Sequence, residues 1–255
     1  IANATTLATQ GKIRIADSSR PTVVFDVSNS PFELRGRLEV ITPSDPGIVL
    51  TYDRGNTFYN ITWNRYGPIN KVNISYDTGA QTYNNPIVNN LTANSSPYSW
   101  TIPNSIGTAL KIKIVDYDNP GVSDTSNNTF AIKGSLLVKR PDGAESFLKG
   151  SAQDINWTPA GTYPGTVNIY YSTNSGANWT QIGSASPGND NVTQTWNWTA
   201  VPDAISENCL INISTNTSAA INVSDTSNAT FRIRGSVAVT EPNGGEIWYY
   251  NDTNR

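Results

Sequence analysis

Residues Ser123–Phe130 read SDTSNNTF and residues Ser224–Phe231 read SDTSNATF, nearly the same octet 101 positions apart. The correspondence runs on in both directions. Upstream, YNITWN around Trp63 pairs with QDINWT around Trp157, and KVNISY from Lys71 pairs with TVNIYY from Thr166. YSWTIP ending at Pro103 pairs with TWNWTAVP ending at Pro202, and LKIKI from Leu110 with LINIS from Leu210. Downstream, each octet leads into a short run closed by glycine, FAIKG at Gly134 and FRIRG at Gly235. The chain is a tandem repeat of roughly a hundred residues.

The ends fit the same frame. KIRIADSSRPTVVFDVSNSPFELRG, Lys12 to Gly36, matches the closing third of a repeat, and SVAVTEPNGGEIWYYND, Ser236 to Asp252, matches its opening, SLLVKRPDGAESFLKG. The expected division is residues 1–36, the closing part of an upstream repeat; 37–134 and 135–235, two full repeats; and 236–255, the opening of a downstream repeat. The two partial pieces come to 56 residues against 98 or 101 in a repeat, and the central strands have no counterpart in them. This reads as a window on a longer repetitive chain. The expected partners are adjacent repeats of that chain or neighbouring copies of it, with a head strand entering a neighbour's incomplete sheet as the alternative.

Within a repeat the apolar period is two. Ile61 and Trp63 share a face, as do Val72 and Ile74, and Leu110, Ile112 and Ile114. Such alternation marks half-buried strands. Turn chemistry separates them, in PDG at Pro141, NSG at Asn174, SPGND at Ser186 and PNGG at Pro242, and no stretch carries a helical stripe. Six or seven short strands per hundred residues predict an all-β fold of tandem immunoglobulin or fibronectin type III-like antiparallel sandwiches. The single cysteine, Cys209, forbids an internal disulfide and favours the fibronectin-like variety; its place in an apolar alternating strand predicts a buried small hydrophobe.

Composition narrows the function. Only 15% of residues are charged, the net charge is −3 and the charges form no blocks, so no basic stripe invites nucleic acid. No apolar run reaches the roughly 18 residues a transmembrane helix requires. Histidine is absent, which removes the commonest general base and metal ligand.

TEPNGGEIW from Thr240, DINWT from Asp154, VNIYYSTNSGANWTQI from Val167, WNWTAVP from Trp196 and SDTSNATFRI from Ser224 together resemble the Ser-Thr-rich GPI-anchored membrane family, the extracellular β-sandwich repeats related to the Kre9/Knh1 cell-wall proteins. The resemblance covers both full repeats and both partial ones. The first full repeat departs from it, reading TPSDPGIV from Thr42 where Gly-Gly-Glu is expected. The resemblance implies an extracellular, often tandem, non-catalytic module of prokaryotic surface proteins or secreted enzymes.

Asn-X-Ser/Thr occurs fifteen times, at Asn3, Asn60, Asn73, Asn90, Asn94, Asn127, Asn156, Asn178, Asn191, Asn197, Asn212, Asn216, Asn222, Asn228 and Asn251. The chain's Asn and Ser/Thr content alone would place about six or seven. Asn60, Asn73, Asn156, Asn197 and Asn212 each lie between apolar neighbours, so each is expected to point outward from a strand. Asn is a poor strand residue, and N-linked glycans account for its repeated use there. A generically polar sheet face is the plainer reading. Occupied sequons suit an archaeal surface or a eukaryotic secretory route better than a typical bacterial one.

Other chemistry has weaker footing. Asp116, Asp118, Asp124 and Asp225 could hold calcium in a loop, yet they lack the dense oxygen spacing of a dedicated site. Local Asx-turn bonding by the octet aspartates is the expected alternative. Glu145 and Glu246 occupy equivalent places in successive repeats and do not form a glycosidase pair. No cofactor is expected apart from the glycans. Trp63 and Trp157 recur at one position and Trp100 and Trp198 at another, which predicts core packing. Trp179 and Trp248 are the candidates for exposure on a sugar-binding surface. The sequence therefore predicts a non-catalytic segment of a glycosylated surface protein, such as a stalk, sheath, surface layer or filament. The alternative is a carbohydrate-binding or adhesin module whose partners are surface glycans.

Overall fold

A computed structural model describes residues 8–251; Asn3 lies outside the described residues. Every regular element among them is a strand. Strands β1 (Ala8–Gly11), β2 (Arg14–Ala16), β3 (Phe25–Val27) and β4 (Phe32–Leu34) make two small pairs, β1 with β4 and β2 with β3. Nine strands follow: β5 (Arg37–Thr42), β6 (Val49–Thr51), β7 (Phe58–Tyr66), β8 (Lys71–Asp77), β9 (Asn85–Thr92), β10 (Tyr98–Thr101), β11 (Gly107–Asp116), β12 (Ser123–Thr125) and β13 (Phe130–Lys133). Nine more repeat them: β14 (Ser135–Arg140), β15 (Ser146–Leu148), β16 (Gln153–Ala160), β17 (Val167–Ser172), β18 (Thr180–Ala185), β19 (Gln194–Trp198), β20 (Ser206–Thr215), β21 (Ser224–Thr226) and β22 (Phe231–Arg234).

Each set of nine forms a sandwich. In the first, one sheet has the order β10-β7-β5 and the other β6-β13-β11-β8-β9, with β12 hooked onto β11; the second repeats this as β14-β16-β19 and β15-β22-β20-β17-β18, with β21 on β20. All pairings are antiparallel except β6 with β13 and β15 with β22. The fold is all-β, in tandem immunoglobulin-like sandwiches.

The alternating residues meet between the sheets. Val40, Ile61, Trp63, Ile74, Ile112 and Phe130 fill the first core; Val138, Ile155, Trp157, Ile169, Ile211 and Phe231 fill the second. Trp63 and Trp157 are buried and donate from Nε1 to Ala93 O at 3.2 Å and Pro187 O at 3.0 Å, both 30 residues downstream. A buried indole that keeps its N–H paired is a structural residue. Trp100 and Trp198 are buried in the same cores, and so is Cys209, whose thiol is pushed up by burial.

Candidate functional surfaces

The octets act as latches between sheets. Asp124, on the hook β12, accepts the Val40 amide of β5 at 2.7 Å, and Asp225, on β21, accepts the Val138 amide of β14 at 2.7 Å. Both receiving strands break register at that residue, between Val40 and Thr42 and between Val138 and Arg140. The aspartate satisfies a donor the interrupted ladder leaves over. The expected local Asx turn is replaced by a bond spanning 84 or 87 residues. The serine two places on is buried, and its backbone and hydroxyl both bond one strand residue: Ser126 with Ile112, Ser227 with Ile211. Long-range packing thus constrains the octet.

The carboxylates of Glu145, Glu246 and Asp116 also accept nearby backbone amides. Glu145 accepts the amides of Asp142 and Gly143 at 3.0 and 2.9 Å, and Glu246 accepts those of Asn243 and Gly244 at 2.8 and 2.6 Å. Each clasps its own turn. The Asn243 amide and its neighbours hold the Glu246 carboxyl below the usual range. In the first sandwich, where Gly-Gly-Glu is missing, Ser44 closes the turn through Oγ to Val40 O at 3.0 Å. Asp116 accepts the Asp118 amide at 3.0 Å. Among the described residues no three His, Cys, Asp or Glu side chains cluster to hold a metal ion.

A second constellation, invisible to the repeat comparison, joins the sandwiches. Asp190 accepts the Tyr52 hydroxyl through Oδ2 at 2.6 Å and the Gly161 amide through Oδ1 at 2.8 Å. Its hydrogen bond, followed by burial, pushes the Tyr52 phenol up. Arg54 donates to Pro159 O at 3.2 Å, and its Nε lies 4.0 Å from Asp190 Oδ1. Asn104 and Thr162 bond reciprocally, Nδ2 to Oγ1 at 3.1 Å and the Thr162 amide to Oδ1 at 2.9 Å. At the junction itself the buried Tyr163 hydroxyl accepts the Gly134 amide at 2.8 Å, and burial pushes this phenol up to about 12. A Cβ on Gly134 would collide with the Ala160 carbonyl oxygen, so only glycine allows the approach.

The sequons distribute unevenly. Asn60, Asn90, Asn94, Asn127, Asn178, Asn191, Asn197, Asn216, Asn222, Asn228 and Asn251 are exposed; Asn73, Asn156 and Asn212 are half-buried. Those three lie on strands with neighbours on both sides, but so does the exposed Asn60 on β7, so what covers them is the local contact and not the place in the sheet. Asn73 Oδ1 accepts the Asn90 amide at 2.9 Å, and Asn212 Nδ2 donates to Asp225 O at 3.2 Å and Thr226 Oγ1 at 2.9 Å. Asn156 Oδ1 is buried without a hydrogen-bond partner. Pointing away from the core therefore opens Asn60 and Asn197 to solvent but leaves three partly covered. Trp179 is 38% exposed and lies over the turn residue Gly176. No helix among the described residues is long and apolar enough to cross a membrane.

No protein-family model and no curated protein matches this sequence. Solved structures that align with it include the fibronectin(III)-like modules of Clostridium thermocellum CbhA, at 15% identity over 78% of this chain and 94% of that one, with a TM-score of 0.27. The N-terminal four Ig domains of Dscam1 isoform 6.9 align at 11% identity over 85% of this chain and 52% of that one, with a TM-score of 0.37. The ICAM-5 D1-D4 ectodomain fragment aligns at 13% identity over 83% and 59%, with a TM-score of 0.35. The chain spans about half the length of the Dscam1 fragment.

Proposed function

We propose that this chain is a non-catalytic structural segment of an extracellular, N-glycosylated scaffold such as a stalk, sheath, surface layer or filament. The observation that carries the reading is the joint at Gly134. Two sandwiches meet with no linker and are tied by Tyr52, Arg54, Asn104 and Tyr163, so the side-chain chemistry goes into holding modules in a fixed relation. The carboxylates that could have suggested catalysis serve strand latches and turn clasps. Exposed sequons on both sandwiches support a glycan coat that shields sheet faces.

The test is the mass of the native protein before and after chemical deglycosylation, with glycopeptide mapping. Sugar on exposed sites such as Asn60, Asn178 and Asn191, and little on Asn156, is the expected result. An unchanged mass sinks the glycan component. The half-exposed Trp179 favours one second reading, a carbohydrate-binding or adhesin module. Saturable glycan binding abolished by Trp179→Ala would establish it in place of the scaffold.

A further inference from the structure

Phe58 breaks the pattern of its strand. Along β7, Tyr59, Ile61 and Trp63 pack toward the core, so Phe58, Asn60 and Thr62 share the outer face. There the ring is 63% exposed, at a position where alternation calls for a polar residue. β7 begins just after the loop whose Tyr52 and Arg54 bond the second sandwich, so Phe58 stays open with that neighbour in place. Tyr66 and Tyr117 are also exposed, but each carries a cation: Arg37 Cζ lies 3.9 Å from the centre of the Tyr66 ring, and Lys71 Nζ 5.8 Å from that of Tyr117. Among the described residues no cation or second ring covers Phe58.

What lies beside it is a sequon. Asn60 is the next residue on the same face, about 7 Å along the strand, and it is exposed. Among the described residues its carboxamide makes no hydrogen bond, whereas those of Asn73, Asn197 and Asn212 are engaged, Asn197 Nδ2 with Asp154 Oδ1 at 3.0 Å. No other strand sequon among the described residues has an aromatic residue two places before it. The second sandwich supplies the control. Ser99 faces Asn60 across the ladder as Asn197 faces Asp154, and Trp100 faces Tyr59 as Trp198 faces Gln153, so the counterparts of Phe58 and Asn60 are Ala152 and Asp154. Ring and sequon are present together in one module and absent together from the same positions of the other.

We infer that Phe58 is the seat for the first sugar of a glycan carried on Asn60. A pyranose ring shows axial C–H groups on one face, and their partial positive charge suits the negative face of an aromatic ring. Stacking there also takes the exposed ring surface out of water. A sugar joined to Asn60 Nδ2 and folded back along β7 lies over Phe58, with the Ser99 and Thr101 hydroxyls of β10 alongside for its polar edge. The attachment is glycosyl transfer from a phosphate-activated donor: the bond from the anomeric carbon to the phosphate oxygen breaks with its electron pair, the bond to Nδ2 forms, and Nδ2 loses one proton. The ligand class is an N-linked oligosaccharide whose first residue is a pyranose with an open C–H face. The inference rests on the glycan coat of the scaffold reading and gives one of those glycans a fixed posture on the sheet.

The test begins with glycopeptide mapping of the native protein at Asn60 and continues with a double-mutant cycle in protein from the same glycosylating source. Phe58→Ala should raise the unfolding equilibrium constant of the first sandwich about threefold to tenfold more when Asn60 carries sugar than in the Asn60→Gln background. The loss of strand preference is common to both backgrounds and cancels. Phe58→Trp should keep the coupling. Proton resonances of the first sugar should be shifted upfield by the ring and return to their ordinary positions in Phe58→Ala. Equal effects of Phe58→Ala in the two backgrounds, with Asn60 mapped as glycosylated, overturn the inference alone and leave the glycan coat standing. An unmodified Asn60 in the native protein overturns it together with the glycan reading at this site.

Discussion

The two sandwiches share latches, tryptophans and strand order, but they turn the corner after their third long strand with different chemistry. In the first, the buried Asp77 carboxylate gathers the amides of Gly79, Gln81 and Thr82 at 2.7, 2.8 and 3.0 Å. In the second, the Ser172 hydroxyl accepts the amides of Asn174 and Gly176 at 3.2 and 2.9 Å. Both side chains are 2% exposed. One backbone task is thus met by an ion in one module and by a neutral hydroxyl in the other. Repetition has kept the loop's need for an acceptor and left the acceptor free to vary, which puts a titratable group at this corner in one module and none in the other.

The largest effect should come from the shared feature. Trp63→Ala and Trp157→Ala each remove a fully packed indole and should cost about 3–5 kcal/mol, read from denaturant midpoints that separate the two sandwiches. Equal loss in both sandwiches from either substitution would mean that they unfold as one unit. Next, Asp124→Ala and Asp225→Ala should each cost about 1–3 kcal/mol by stranding a buried amide, and because both bonds measure 2.7 Å the two losses should agree. A clear inequality would break the equivalence of the latches.

Acid distinguishes the modules. Burial alone would raise the Asp77 carboxyl, but the amides of Gln81, Gly79, Thr82 and Tyr83 together outweigh it and hold it below its ordinary value of 3.8. The folded form therefore binds its proton less readily than the unfolded one. Stability from this group is present above the unfolded value and is lost as pH falls through the folded one. The first sandwich should weaken below about pH 4 and the second should show no such component at Ser172. Asp77→Ser should remove the difference; persistence of the acid sensitivity in that variant would assign it elsewhere. The smallest effect belongs to the joint. Tyr52→Phe deletes one hydrogen bond to Asp190 and should cost about 1 kcal/mol, seen as reduced coupling between the two unfolding transitions.

Much of this architecture is legible in the residues. Period-two alternation around Trp63 and Trp157 fixes strands and their inward faces, and the spacing of Gly134 and Gly235 frames the modules. The role of the octet is not legible, because a carboxylate's partner 84 residues away leaves no local pattern. The joint is hidden for a different reason. Tyr52 and Asp190 lie 138 residues apart, and their bond joins one module to the next. The sequons show a third limit. Alternation says which way Asn73, Asn156 and Asn212 point, but not that adjoining strands and the hook cover them there.

The parallel pairings β6 with β13 and β15 with β22 bear on how a module would carry load. Near the start of the second sandwich, β15 lies beside β22, the strand by which the chain leaves, in register over three residue pairs from Ser146 opposite Arg232 to Leu148 opposite Arg234. Pulling the two ends of a module apart drags these parallel strands in opposite directions along their length. Their cross-links are strained together, where an antiparallel hairpin pulled from its open end would yield them one after another. The same arrangement recurs in the first sandwich, Val49 opposite Ala131 to Thr51 opposite Lys133. Each module thus carries a shear clamp in line with the chain, suited to resist tension.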